Sequence, residues 1–156
     1  MAISKEGLIG PYFFQAYVSS ESYIQMLNEF YFPALAARKI PLDSVVFQQD
    51  GAPAHCSNRS LELLIAKFGD RLLSRRATDL WPPRSPDLNP CDFYLWGRLK
   101  QLVYSTPIPS LEALRERICA CAEQLDRSEI SRAIDSFPMR LKLLIEHNGG
   151  VIESYL

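Results

Sequence analysis

Two aspartates stand where carboxylate chemistry could be done. Asp50 closes the run Val45-Val46-Phe47-Gln48-Gln49-Asp50-Gly51, a β-branched and aromatic stretch that reads as a short buried strand ending in a turn. Open α/β sheets present their functional groups at the carboxyl ends of strands. Asp92 follows Asn89-Pro90, a pair that opens a helix as N-cap and first residue, so Asp92 falls near the third helical position. A strand end and a helix start can bring two carboxylates to one side of a sheet edge. Oxygen ligands of that kind suit Mg²⁺ in phosphoryl transfer on DNA, which commonly uses a two-metal clamp. Each acid also has a plainer role open to it. Asp-Gly is a common turn pair, and an acid at the third helical position complements the helix dipole or completes a capping box. Composition and spacing leave both roles open.

Among the basic residues, Arg71, Arg75, Arg76 and Arg84, with Arg98 and Lys100, form the best candidate patch for phosphate contacts, against a plain solvated face. Trp81, Phe93, Tyr94 and Trp96 read as core before they read as base-stacking platforms. Asp87, in Ser85-Pro86-Asp87-Leu88, reads as a turn former.

The rest of the chain must position these groups. It has 156 residues, enough for one domain (1–156) with a real core. Its apolar fraction of 47% and charged fraction of 22% are those of an ordinary globular protein. The net charge of −1 removes any global field for nucleic acid, so DNA binding would need a local patch or a metal. Cys56, Cys91, Cys119 and Cys121 form no CxxC pair and, with two histidines, no zinc spacing; free thiols in a reducing compartment follow. No signal-peptide layout opens the chain, and no apolar run approaches the roughly 18 residues of a membrane span, so a nuclear or cytosolic protein with no membrane partner is expected.

Leu8 to Phe14 favours a strand. Ser19-Ser20-Glu21-Ser22 caps a helix carrying Tyr23, Met26, Leu27, Phe30 and Tyr31, which either kinks at Pro33 or continues to about Arg38. After the strand at 44–49, Ser57 or Asn58 caps a helix stopped by Gly69, and Leu72-Leu73 is a further short strand. Thr78 to Pro90 carries four of the eleven prolines and reads as an ordered loop. Helices follow from Asn89 past Val103, over about 110–124, and over about 127–147, where Asn148-Gly149-Gly150 ends the last one. The layout is α/β with a helical C-terminal part.

Residues 48–55, QQDGAPAH, and 81–97, WPPRSPDLNPCDFYLWG, resemble the two signature blocks of the mariner/Tc DDE/D transposases. AISKEGLIGPYFF (2–14) is similar to the strand pair that follows the first catalytic aspartate in that family, SESYIQMLNEFYFPAL (20–35) to the next helix, and HNGGVIESYL (147–156) to the closing segment. The resemblance covers nearly the whole chain. It implies a ribonuclease-H-like mixed sheet lacking its first strand, with Asp50 and Asp92 as the second and third catalytic carboxylates and as ligands of two Mg²⁺ (or Mn²⁺) ions. It also implies DNA partners, both transposon ends and target DNA, a homodimer as a candidate assembly, and action in the nucleus. It sets His55 beside the active site, where it could contact substrate phosphate; a helix-start histidine bonded to backbone is the plainer reading.

The family's first catalytic aspartate precedes the region matching residue 1, and Glu6 and Glu21 lie in the wrong elements to replace it. The family's first strand is central, so strand 44–49 is expected to close directly on the Leu8–Phe14 strand or to find a partner in trans. The expected function is a DDE/D endonuclease domain of cut-and-paste transposition, inactive by itself. The alternatives are a nuclease that borrows its missing acid from another chain, and a non-catalytic domesticated module for nucleic-acid or protein contacts.

Overall fold

The structure is a computed structural model and describes residues 1–77, 79–82, 85–152 and 155. The chain divides into two compact units, Tyr12–Arg84 and Met1–Pro11 with Ser85–Leu156.

In the unit 12–84, Ser19 opens α1 (Ser20–Met26) with a reciprocal cap. Its Oγ accepts the Ser22 N–H, and the Ser22 Oγ accepts the Ser19 N–H. The helix then widens into a π-helical turn, Leu27–Tyr31, and resumes as α2 (Phe32–Ala37). Thus the helical path continues past Pro33. The proline has no N–H to donate and its ring presses on the carbonyl four residues back, and the wide turn sits at that place.

Next come a 3₁₀ turn at Leu42–Ser44, β3 (Phe47–Gln48), α3 (Asn58–Phe68), β4 (Leu72–Ser74) and β5 (Asp79–Leu80). The sheet order is β3-β4-β5, parallel throughout, with Phe47 opposite Leu72 and Ser74 opposite Leu80. Two expectations change here. The strand expected over 44–49 is a two-residue strand, because Leu42–Ser44 coils and Val46 is 59% exposed. The expected loop 78–90 contains β5 and a 3₁₀ turn at Pro86–Leu88, because two residues suffice to pair along β4 before the prolines begin. The core joins Tyr23, Leu27, Tyr31 and Leu35 to Phe47, Leu61, Leu64, Phe68 and Leu72, with the Phe47 and Phe68 rings stacked at 5.0 Å.

In the other unit, β1 (Ala2–Ser4) and β2 (Gly7–Ile9) form an antiparallel hairpin. The strand expected to run to Phe14 stops at Ile9, since Gly10 takes a φ of +110° and Pro11 has no N–H for a ladder. The described strands pair as β1-β2 in this unit and β3-β4-β5 in the other.

The hairpin lays Met1, Ile3 and Leu8 on a cluster of Leu95, Leu125 and Ile130. The helices around that cluster are a π-helical turn at Cys91–Leu95, α4 (Trp96–Val103), α5 (Leu111–Glu123), α6 (Arg127–Asp135) and α7 (Phe137–Glu146). The single helix expected over 127–147 is therefore two. Pro138 cannot give an N–H to the carbonyl of Ile134, and the chain turns at Ser136, whose Oγ donates to the Ala133 carbonyl at 2.7 Å.

Candidate active site

Asp50 leaves the carboxyl end of β3, as its strand predicts. The preceding Gln49 N–H still bonds to the Leu73 carbonyl of β4 at 3.0 Å, which fixes where the strand ends. Asp50 Oδ1 takes the Ala52 N–H at 3.0 Å and faces His55 Nδ1 at 2.6 Å. An ionised carboxylate only accepts, so Nδ1 carries the proton and donates it. The His55 bond is the main force holding the Asp50 carboxyl below the usual carboxylate range; burial works against it, and the Ala52 N–H adds to it. The side chain of Asp50 is 48% exposed, which leaves the carboxylate accessible to a ligand. His55 is thus bound to the acid, not to backbone as its plainer reading had it.

The loop after Asp50 is fixed by a residue that sequence reasoning passed over. Gln49 is 6% exposed and fully engaged: its Oε1 accepts the Tyr23 hydroxyl at 2.7 Å, and its Nε2 donates to Ser74 Oγ and to the His55 carbonyl, each at 3.1 Å. The Tyr23 ring lies 4.6 Å from the His55 ring, and burial pushes its phenol up. Ser60, fully buried, donates to the Ala54 carbonyl at 2.7 Å. A polar residue one place before the acid, at the end of a β-branched and aromatic run, was the available signal.

Two arginines lean on the same loop. Arg76 Nη1 donates to the Cys56 carbonyl at 3.2 Å. Arg75 passes over Gly51 so closely that a Cβ there would stand 3.0 Å from Arg75 Cδ. Both remain exposed. Other members of the expected patch are spent on structure: Arg71 donates to the carbonyls of Val45 and Leu42, and Arg98 pairs with Glu129 at 3.2 Å. Arg84 lies outside the described residues. Of the aromatic residues, Trp81 is buried, Phe93 and Tyr94 are half-buried, and Trp96 is 37% exposed.

Asp92 sits in the other unit, on the π-helical turn. Asn89 is extended (φ −91°, ψ 109°) and Pro90 helical (φ −60°, ψ −24°), so the chain turns into the helix between them. Asn89 Oδ1 accepts the Cys91 N–H at 3.1 Å, and its Nδ2 donates to Asp92 Oδ2 at 2.7 Å. The cap expected from sequence is formed, and it fixes the Asp92 carboxylate as well as the helix start. Asp92 itself is exposed. Among the described residues no group of three or more His, Cys, Asp or Glu gathers as a metal cage. Asp87 is the turn former it was expected to be, in the Pro86–Leu88 turn.

The fold is ribonuclease-H-like, as in the catalytic domain of the Mos1 transposase. A structure of that domain with raltegravir and Mn matches with a TM-score of 0.73 at 21% identity, over 89% of this chain and 68% of that one. Another, with raltegravir and Mg, matches with a TM-score of 0.72 at 21% identity, over 89% and 67%. No family model matches the chain. Curated relatives do: it is 32% identical over 108 residues to the Tc3 transposase of Caenorhabditis elegans, covering 68% of this chain and 30% of that protein. To the Tc1 transposase of the same organism it is 32% identical over 106 residues, covering 67% and 35%. The chain belongs to the mariner/Tc transposases, as part of their DDE-type domain. It spans about a third of the length of the curated relatives it matches.

Proposed function

We propose that residues 1–156 are part of the domain that cuts and joins DNA in a cut-and-paste transposase, with Asp50 and Asp92 as two of its catalytic carboxylates. The observation that carries this reading is Asp50: an ionised, accessible carboxylate at the carboxyl end of a parallel strand, oriented by His55 and the Ala52 N–H. Hard carboxylate oxygens are the donors that Mg²⁺ and Mn²⁺ take, and structures of the Mos1 catalytic domain contain Mn and Mg. The donor chemistry fits such an ion, with Asp50 and Asp92 supplying ligands and a further acid completing the cage.

When bound, the metals would supply a polarised phosphodiester and an activated water or 3′-hydroxyl. This chain's residues do the rest. Asp50 stays ionised and presents its carboxylate, while His55, bonded to Asp50 Oδ1, sets that carboxylate's orientation. Gln49 holds the loop in register. Arg75 and Arg76 face the DNA backbone beside the loop. Asn89 aims Asp92. DNA is the partner in this reading, at the transposon end and at the target, and the nucleus is the place of action.

The test is calorimetry with Mn²⁺ on the 156-residue chain and on Asp50→Asn, with transposon-end DNA as the cleavage substrate. Heat that Asp50→Asn removes is expected, with no cleavage by the isolated chain. No heat with the wild-type chain would defeat the metal-ligand reading and favour a non-catalytic module. Cleavage by the wild-type chain that Asp92→Asn abolishes would instead establish an active nuclease with Asp92 as one of its carboxylates.

A further inference from the structure

A pocket of about 310 Å³ opens between the π-helical turn that carries Asp92 and helices α6 and α7. Phe93, the residue after Asp92, forms one wall, with Tyr94, Glu129, Arg132, Ser136 and Arg140 also in the lining. Its charges are unevenly committed. Glu129 is occupied: it accepts the Tyr94 hydroxyl at 3.1 Å and pairs with Arg98, which lies outside the pocket lining, at 3.2 Å. The two lining arginines have no carboxylate within ion-pair distance among the described residues. Among the described residues Arg132 Nη1 donates to the Ser128 Oγ at 3.1 Å, and Arg132 and Asp126 act on each other through their charges without an ion pair.

Arg140 is held more firmly. Its guanidinium lies over the Phe93 ring, 3.6 Å from the centroid. Its Nε donates to Ser136 Oγ at 3.2 Å and its Nη1 to the Asp87 carbonyl at 3.3 Å. Burial pulls its affinity for the proton down, but a guanidinium stays charged at any working pH. A half-buried cation that is stacked and donates through Nε and Nη1 keeps Nη2 for a further acceptor, and the Asp87 charge offsets only part of its burial, with no ion pair formed among the described residues. An anion entering the pocket offsets the rest of that burial, and the non-bridging oxygens of a phosphodiester are acceptors for the remaining guanidinium N–H groups.

We propose that Arg140 and Arg132 form a phosphodiester-binding subsite that holds the nucleic-acid backbone at the π-helical turn that carries Asp92. The inference rests on the transposase reading and adds to it a backbone anchor on α6 and α7, elements outside the two signature blocks. Arg140 is a positioning residue here. It fixes where the strand lies and touches no reacting atom, and Phe93 and Ser136 fix Arg140.

The test is fluorescence anisotropy of a labelled DNA duplex with the full 156-residue chain over a series of KCl concentrations. Arg140→Gln and Arg132→Gln are compared with Arg115→Gln, which removes the same charge at an exposed position of α5. Each pocket variant is expected to weaken binding by about tenfold at low salt and to reduce the slope of log K against log salt by about one phosphate contact. The control should leave both near the wild-type values. Circular dichroism reports folding. Should Arg140→Gln unfold, the exposed Arg132→Gln, bonded to one serine, still decides the matter. Pocket variants that behave like Arg115→Gln while the wild type binds DNA overturn the subsite and leave the transposase reading standing. A wild-type chain that does not bind DNA at low salt overturns both. Loss of DNA binding in the pocket variants with Mn²⁺ heat unchanged assigns the effect to the backbone anchor.

Discussion

At the residue scale, the Asp50–His55 pair decides what the loop can do. His55 is the main cause of the low proton affinity of Asp50, so His55→Ala is expected to move the Asp50 titration upward, toward the ordinary carboxylate range. Carboxyl-detected NMR titration of both proteins reads this directly, and an unmoved Asp50 would refute the assignment. The sign for stability follows. A carboxylate with a depressed folded value stabilises the fold above the ordinary carboxylate range, and that contribution is lost as pH falls through the folded value. In His55→Ala the acid-side loss of stability should be correspondingly smaller. Gln49 makes a different prediction. Its replacement by Ala leaves the buried Tyr23 hydroxyl and Ser74 without their partner and is expected to cost about 1–3 kcal/mol in urea unfolding.

At the element scale, the sequence was read well where one local rule ruled alone. Ser19, Ser57 and Asn89 each cap the element their types predicted, and Gly69 ends α3 with a φ of +55°. Reading failed where a second rule interfered a few residues away. Apolar spacing ran on through 127–147, but Pro138 removes the N–H that the carbonyl of Ile134 needs. The aromatic run Tyr12-Phe13-Phe14 suggested strand, yet Gly10 and Pro11 had already ended the ladder. Val45 and Val46 have strand propensity, but the 3₁₀ turn at Leu42–Ser44 runs up to them and pairing with β4 begins only at Phe47. Asn89 links element and site: Asn89→Ala should cost about 0.5–2 kcal/mol as a lost cap. It should also weaken any metal binding through Asp92, because the carboxylate loses the amide that aims it. Thermal unfolding and Mn²⁺ calorimetry on the one variant separate the two effects, and a full cap cost with unchanged metal heat would remove Asn89 from the site.

At the scale of the whole chain, the signature blocks were legible through their resemblance to the mariner/Tc family, and the two-unit division was not, because it depends on contacts remote in sequence. Residues 1–11 belong with residues 85–156. Nothing local in Met1, Ile3 or Leu8 says that they will cover Leu95, Leu125 and Ile130. A two-stranded hairpin is marginal by itself in water, so β1 and β2 hold together only while that cluster does. Ile130 is 1% exposed at the centre of the cluster. Ile130→Ala should therefore cost about 2–5 kcal/mol and open the hairpin and α6 as one cooperative block. Hydrogen exchange is the measurement. The amides of 2–9 and of 127–135 should lose protection together, while those of β3 and β4, whose cover is Phe68 and Leu64 in the other unit, keep theirs. Loss of protection in the hairpin alone would mean that the helices have their own core and the hairpin is an accessory. Loss everywhere at once would mean that the two units unfold as one.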